Sequence, residues 1–357
     1  MVDHYLIDIV TIAICAVICG ADDWVAVETF GRAQESWLRT FLRLPHGIPS
    51  DDTFRRVFAA LEAEAFQQCF VNWMQAMSQL TEGEIVALDG KRLRRSHDGH
   101  LGKAAIHMVS AWASRNRLVL GQLKTDEKSN EITAIPELLK VLTLRGCIVT
   151  IDAMGCQTDI AQQIVEQEAD YVLALKGNQG TLHDDVRDLF AFAHQTNFED
   201  IDHDFHKSVE KGHGRIETRR TWTIFEPQFI DHLNPKGKWV NLRSIGMVEA
   251  QRRSGDSVTT ETRYYIASLL GDALEFGHAV RTHWEIENKV HWVLDVAFRE
   301  DDCRLRKGNG PQNMAVLRHI ALNLLRNEPS AKCGIKNKRL KAGWDPRYRL
   351  KVLTNLS

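Results

Sequence analysis

The chain has 357 residues, of which 44% are hydrophobic and 26% charged, and this ordinary globular composition excludes a disordered or fibrous protein. Seven cysteines without a CxxC pair exclude a disulfide scaffold and a zinc ribbon, and favour a reduced, cytoplasmic protein. The net charge of −2 gives no overall indication of a nucleic-acid partner. The segment from Arg304 to Ser357, however, carries 13 Lys or Arg against 2 acids. This local positive charge suits either a polyanionic partner or a solvated surface.

Helical spacing predicts an amino-terminal helical domain over residues 1–78. The apolar run from Leu6 to Gly20 predicts a buried helix and no membrane association, because it contains Asp8, lacks a basic start and is too short to span a bilayer. A second helix is predicted over residues 24–42. A third is predicted to begin near Thr53, with Ser50 or Asp51 as its cap.

Residues 79–330 predict an α/β domain, because apolar strands alternate with helices. Two of these strands end in an acid followed by a small residue, at EIVALDG (84–90) and CIVTIDAMG (147–155). Residues from about 196 to 271 alternate in a β pattern and predict an insertion, with three strands over 215–224, 239–251 and 257–268. One helix is then predicted from Leu274 through Arg299 and another over 311–325, before an irregular basic tail over 331–357.

Three acids form the candidate catalytic site. Asp89 and Asp152 each close an apolar strand, where side chains point into the crevice at which α/β proteins bind ligands. Either one alone is explained equally well as a loop cap, but the repeated pattern favours a shared site. Glu287 lies on a predicted helix face with Trp284 and His291. Carboxylates without zinc-type His/Cys spacing fit Mg²⁺ or Mn²⁺ and phosphodiester chemistry.

Several ordered motifs together resemble the ISAs family of insertion-sequence transposases, which includes the H-repeat-associated proteins. They are HGIPSDDTFRRVF (46–58), ALDGKRLRRS (87–96), TIDAMGCQ (150–157), DYVLALKGNQ (170–179), KGHGRIETRR (211–220) and the long segment from THWEIENKVHW to ALNLLR (282–326). The resemblance covers roughly residues 10–330.

The resemblance implies an RNase H-like core with a β-strand insertion before the last catalytic helix, preceded by a helical amino-terminal domain. It implies that Asp89, Asp152 and Glu287 are the catalytic residues and the metal ligands of a DDE transposase. The implied reaction is Mg²⁺- or Mn²⁺-dependent cleavage of DNA at element ends, followed by joining of the 3′-hydroxyl to target DNA. By analogy with the family, the partners are DNA and a second copy in a homodimeric active complex.

The chain departs from the wider group around the third acid. The tyrosine, arginine, glutamate and lysine signature of that group falls on Val280, His283, Glu287 and Leu294, so only the glutamate is kept. We expect His283 to replace the arginine as a phosphate contact and Lys289 to replace the lysine.

Further DNA contacts are expected from basic residues near the acids and in the basic end. These are Lys91 and Arg92, with Arg94 and Arg95 behind them, Lys176, and Arg304, Arg306 and Lys307. A solvated charge run explains the group after Asp89 nearly as well. Structural roles are favoured for His213 and Arg215, and core packing for Trp284 and Trp292 over stacking on a base.

Two alternatives stay open at this point. The chain could be a DNA-binding relic of an insertion sequence without catalysis, or a metal-dependent nuclease that only hydrolyses DNA. The three acids argue against decay of the centre, but hydrolysis and strand transfer use the same metal centre and cannot be separated by residue type.

Overall fold

The computed structural model describes residues 4–94, 106–125, 131–212 and 214–354, and Arg95 and His213 lie outside these ranges. Within them the chain forms fourteen α-helices and nine β-strands. The helices are α1 (Leu6–Ile18), α2 (Trp24–Ala33), α3 (Glu35–Leu38), α4 (Asp51–Ala60), α5 (Ala63–Met77), α6 (Glu131–Val141), α7 (Thr158–Glu166), α8 (Thr181–Gln195), α9 (Pro227–Leu233), α10 (Ala273–His283), α11 (Trp292–Phe298), α12 (Gly310–Asn327), α13 (Ile335–Trp344) and α14 (Pro346–Thr354). The strands are β1 (Ile85–Arg92), β2 (His107–Ala113), β3 (Leu118–Lys124), β4 (Ile148–Ile151), β5 (Asp170–Leu175), β6 (His203–Gly212), β7 (Arg215–Ile224), β8 (Ser244–Ser254) and β9 (Ser257–Ala267).

All nine of these strands belong to one sheet, in the order β3-β2-β1-β4-β5-β9-β8-β7-β6. Strand β1 pairs antiparallel with β2 and parallel with β4, and β4 pairs parallel with β5. Strand β9 then joins β5 antiparallel and continues through β8 and β7 to β6. The mixed α/β class predicted from the sequence is confirmed, and the strands of the 196–271 segment extend the central sheet.

Helix α12 organises the core, because sixteen of its eighteen residues are buried. A helix that is enclosed on all sides must pack against several elements, and α12 contacts α1, α4, α5, β3 and α13. Its polar residues bind neighbouring backbones: Asn313 Nδ2 donates to the carbonyls of Phe58 and Leu61, and Asn323 bonds both N and O of Val119. The amino-terminal helices therefore share one hydrophobic core with the sheet.

Three expectations about helices were wrong. The predicted helix over residues 24–42 ends at Ala33 and resumes only as the short α3. The long helix from Leu274 to Arg299 is interrupted after α10 and passes through a π-helical turn, Glu287–His291, before α11. The basic tail is not irregular but forms α13 and α14, because Ala342, Tyr348 and Val352 supply a buried face between its charged residues.

Two strand expectations also need correction. The first strand does not stop at Asp89 and Gly90 but continues to Arg92, since β2 pairs with it along this whole length. Strand β6 was missed altogether. Nearly all of its side chains are exposed, so the sequence HDFHKSVEKG carries no apolar alternation from which a strand could be predicted.

Candidate active site

The two aspartates lie side by side because their strands are parallel neighbours. Leu88 of β1 pairs with Ile151 of β4, and Asp89 and Asp152 are the next residue on each strand. Both strands are buried up to this pair, and both acids are only partly buried. The sheet therefore presents the two carboxylates at the point where the parallel pairing of β1 with β4 ends.

A tight turn after β4 orients Asp152. Its Oδ1 accepts hydrogen bonds from the backbone N–H groups of Met154 (3.0 Å) and Gly155 (3.4 Å). A Cβ atom at Gly155 would lie 2.3 Å from Ile151 Cγ2 and 2.8 Å from Ile135 Cδ1. Only glycine fits there without displacing the core, which accounts for the glycine three residues after the acid.

Glu287 reaches the aspartates from the π-helical turn. Such turns insert an extra residue into a helix and are frequent at functional sites. Glu287 opens this turn, and its Oε2 accepts a hydrogen bond from His291 Nδ1 at 2.9 Å. The same nitrogen lies 3.5 Å from Asp89 Oδ2, so His291 bridges two of the three acids.

Within the described part of the chain, Asp89, Glu287 and His291 form one cluster that could hold a metal ion. Each offers one ligand atom, and these atoms lie within 4.8 Å of one another. The third member of this cluster is His291 and not Asp152. The sequence predicts His291 on the same helix face as Glu287. Its position four residues after Glu287 is the feature from which its contact with that acid could have been predicted.

Asp152 contributes to the electrostatics of this cluster through its effect on the pKa of Asp89. Burial raises the pKa of Asp89 to about 6, with further increases from the carboxylates of Asp152 and Glu287 and an opposing effect of His291. In contrast, the hydrogen bond from His291 lowers the pKa of Glu287. A buried carboxyl group whose pKa is raised further by neighbouring acids lacks full compensation by positive charge, and a bound cation would supply it.

Comparison with known proteins identifies the family of the chain. Residues 80–324 match the family described as "Transposase DDE domain", and residues 1–74 match the one described as "DDE_Tnp_1-associated". The chain belongs to the DDE transposase family. DDE transposases are metal-dependent, and the acidic cluster found here agrees with that property.

The relatives of this DDE transposase carry names of the same kind. It is 44% identical to "Putative transposase YncI" of Escherichia coli O157:H7, over 100% of this chain and 91% of the relative. It is 41% identical to "H repeat-associated putative transposase YhhI" of Escherichia coli strain K12, over 99% and 93%. A solved piggyBac transposase synaptic complex with hairpin DNA covers 98% of this chain and 75% of its own, with 11% identity and a TM-score of 0.42, too low to establish a shared fold.

Lys91, which was expected to contact DNA, lies between two acids in the structure. Its Nζ contacts Asp295 Oδ1 at 2.5 Å, Glu300 Oε2 at 2.8 Å and the carbonyl of His291 at 3.3 Å, and its side chain is only 11% exposed. A lysine enclosed by two acids is not available for phosphate. Lys91 instead joins strand β1 to α11 and to the turn after it.

His283 is also unsuited to a direct phosphate contact. It is buried, and its Nδ1 shares a hydrogen bond with Thr150 Oγ1 at 3.0 Å, beneath Asp152. Burial lowers its pKa to about 4, against the opposing charge of Asp152, so the ring is neutral at physiological pH. His283 joins α10 to β4 and does not supply the positive charge of the arginine found at this position in the wider group.

The other expected DNA contacts are exposed. They are Arg92, Lys176, Lys289, Arg304, Arg306 and Lys307. Arg92 lines a cleft of about 360 Å³ together with Glu287, and Lys176 lines a cavity of about 210 Å³ together with Asp152. Arg94, which follows Arg92 on the chain, is exposed and lines the same cleft.

Both tryptophans near Glu287 are exposed, so the expectation of core packing was wrong. Trp292 is 61% exposed in the cleft that contains Arg92 and Glu287. Trp284 is 38% exposed and carries the guanidinium of Arg263 over its ring at 4.1 Å. Both rings therefore line clefts beside the acids instead of packing into the core.

No helix in the described ranges is long and apolar enough to cross a bilayer.

Proposed function

We propose that this transposase cleaves DNA at the ends of its element and joins the freed 3′-hydroxyl to target DNA in a Mg²⁺- or Mn²⁺-dependent reaction. The observation that carries the proposal is the cluster in which ligand atoms of Asp89, Glu287 and His291 lie within 4.8 Å of one another, with Asp152 on the adjacent strand. Membership of the DDE transposase family supports it.

The donor set fits divalent cations. Carboxylate oxygens are the ligands that Mg²⁺ prefers, and Mn²⁺ accepts them as well. The raised pKa of Asp89 reflects burial beside other acids, and a bound cation would remove that penalty. We assign Asp89, Asp152 and Glu287 as the metal ligands and His291 as the residue that holds Glu287 in position.

Two bound divalent ions would supply activation of a water or 3′-hydroxyl and stabilisation of the leaving oxygen at a scissile phosphate. The chain's own residues position those ligands. The turn at Met154 and Gly155 fixes Asp152, and the pair of Asp295 and Glu300 fixes Lys91 two residues after Asp89. The exposed cations Arg92, Lys176, Lys289, Arg304, Arg306 and Lys307 would hold the DNA backbone through its phosphates.

We further propose an RNase H-like core within residues 79–330, with its β insertion at about 196–271, after a helical domain over 1–78 and before a basic segment over 331–357. Support comes from the antiparallel β3-β2-β1 unit that continues into parallel β4 and β5, with acids on β1 and just after β4. A homodimer in the active complex is proposed by analogy with the family.

The test is strand cleavage and joining on DNA that carries the element ends, with and without Mg²⁺ or Mn²⁺. Asp152→Ala is compared with Asp159→Ala, which removes an exposed acid from the first turn of α7. We expect metal-dependent joining that only Asp152→Ala abolishes. DNA binding without cleavage would instead identify an inactive relic, and cleavage without joining would identify a nuclease.

A further inference from the structure

The carboxyl-terminal helix pair, α13 and α14, is fastened to the body by three buried cations. The guanidinium of Arg339 donates to the carbonyls of Val17, Ala21 and Ala297 and to Asp22. The ammonium of Lys338 donates to the carbonyls of Leu325 and Glu328. Arg349 stacks on Trp37 at 4.2 Å and donates to Gln34 Oε1. The pair is therefore a fixed part of the fold.

The outer face of this pair carries uncompensated positive charge. Five exposed cations lie on α13, α14 and the segment that leads into them: Lys332, Lys336, Lys341, Arg347 and Lys351. Among the described residues, none of the five has an ion pair with an acid. The one acid of the pair, Asp345, is engaged as a cap, because its Oδ1 accepts from the N–H groups of Arg347 and Tyr348.

An unusually exposed aromatic residue lies among these charges. Trp344 is 78% exposed, the most of any large hydrophobic residue in the described chain. It lies four residues after Leu340 and eight after Lys336, so the three share one side of α13. Cations interleaved with an exposed aromatic ring are the composition by which proteins hold a nucleic-acid backbone and stack on an unpaired base.

We propose that this outer face, defined by Lys332, Lys336, Lys341, Trp344, Arg347 and Lys351, is a DNA-binding surface separate from the catalytic clefts. It rests on the proposed function, since that function supplies DNA as the partner. Residues 331–354 lie beyond the residues that match either family description, so neither assigns them a role.

The helix pair is attached to the helical segment that carries Glu287. Arg339 binds the carbonyl of Ala297 at the end of α11. Ala297 is ten residues after Glu287, which is about 15 Å along a helix. On this proposal, phosphates of DNA bound at the acids would gain further contacts with α13 and α14.

Charge favours DNA over a second copy of the chain. In a twofold dimer, the same patch meets itself, so two copies joined through this face would bring five cations against five cations. Like charges opposed across an interface are strongly unfavourable. A polyanion neutralises all five.

The test measures DNA affinity in EDTA, without catalysis, by fluorescence anisotropy with a labelled duplex and a labelled single strand over a range of salt concentrations. Lys336→Gln/Lys351→Gln removes two charges from the face. The matched control, Lys236→Gln/Lys238→Gln, removes two exposed lysines from the loop before β8. That loop precedes Ser244, which pairs with Ala267, and Ala267 pairs with Val172 near the start of β5. The loop therefore lies at the end of the sheet opposite to the acids, which follow the parallel-paired residues of β1 and β4.

We expect the double variant to lower the slope of log affinity against log salt by roughly 2, about one unit for each lost phosphate contact. The control should leave the slope unchanged. Trp344→Ala should weaken single-strand binding by roughly tenfold and duplex binding by less, because stacking needs an unpaired base. Unchanged melting temperatures would show that each variant folds.

Equal slopes for the double variant and the control would overturn the proposal. A change of oligomeric state in the double variant, measured by light scattering and without a change of slope, would also overturn it and identify a protein interface. The catalytic proposal fails separately. If the face binds DNA but metal-dependent cleavage is absent from the unaltered protein, the surface stands and the transposase reaction does not.

Discussion

The catalytic cluster and the carboxyl-terminal helix pair both bury charge, but they do so in opposite ways. In the cluster, Asp89 lies beside two further acids, and its pKa is raised to about 6 by burial and by Asp152 and Glu287. In the helix pair, Arg339 is buried with backbone carbonyls on three sides and Asp22 on the fourth.

The difference distinguishes acids that we propose bind a metal ion from a buried cation that stabilises the fold. A buried charge is costly unless it is paired and hydrogen-bonded. Burial lowers the pKa of Arg339, but the chain supplies Asp22 and three carbonyls as partners, so its role is to hold helices together. The acids around Asp89 do not meet it completely, so the folded chain keeps a cost that a bound cation would offset. The following predictions test this contrast, beginning with the largest effect.

Asp89→Asn should abolish metal-dependent strand joining, by about three orders of magnitude or more, because one metal ligand is lost. The same change should stabilise the metal-free protein at pH 7.5, by roughly 1–3 kcal/mol, since the buried charge is removed. A joining assay measures the first effect. Thermal unfolding in EDTA and in Mg²⁺ measures the gain of stability and the binding of the metal. Mg²⁺ should raise the melting temperature of the unaltered chain but not of the variant.

The pH dependence of this gain follows from the direction of the pKa shift. The folded-state pKa of Asp89, about 6, is above the ordinary value of 3.8, so the carboxyl group contributes stability at low pH. That contribution is lost as pH rises through about 6. The gain from Asp89→Asn should thus be largest above pH 7 and shrink toward pH 4. A gain independent of pH would contradict the assigned cause.

Arg339→Met should lower the free energy of unfolding by about 3–5 kcal/mol, because three carbonyls and Asp22 lose their donor. Chemical denaturation measures the change. Arg347→Met, on the exposed face of α14, is the matched control and should shift stability by about 0.5 kcal/mol or less. Equal effects of the two changes would show that the helix pair is not fastened by its buried cations.

Lys91→Met should destabilise the chain by roughly 3 kcal/mol, because the buried carboxylate of Glu300 loses its nearest cation. Burial alone would raise the pKa of Glu300, and Lys91 and Arg318 together hold it below its usual value. The variant should therefore unfold at higher pH during acid titration. Arg92→Met, the exposed neighbour on the same strand, should leave the acid midpoint unchanged.

Gly155→Ala should cost about 1–3 kcal/mol, because its Cβ would lie 2.3 Å from Ile151. The turn that holds Asp152 should shift with it, so joining activity should also fall. Gly177→Ala is the control, because a Cβ there meets nothing within 4 Å. Denaturation midpoints and joining rates of the two variants, compared side by side, measure the effect. Full activity in Gly155→Ala would show that this turn does not position Asp152.

The sequence located the acids because their signal is local. An apolar strand followed by an acid and a small residue can be read from a short window, and this pattern found Asp89 and Asp152. The strand β6 had no such signal, since its side chains face solvent on both sides. The helices α13 and α14 could not be predicted from apolar periodicity, because their segment is rich in charged residues and three of its six buried residues are cations.

The sequence by itself therefore determined the mixed α/β class and the family, together with the three acids proposed as catalytic. Only the tertiary structure decided which cations are paired. Lys91 meets Asp295 and Glu300 more than 200 residues away, and Arg339 meets Val17 across 322 residues. Charge compensation depends on such distant neighbours, so residue type and spacing cannot tell a cation that holds the fold together from one that is exposed and available to bind DNA.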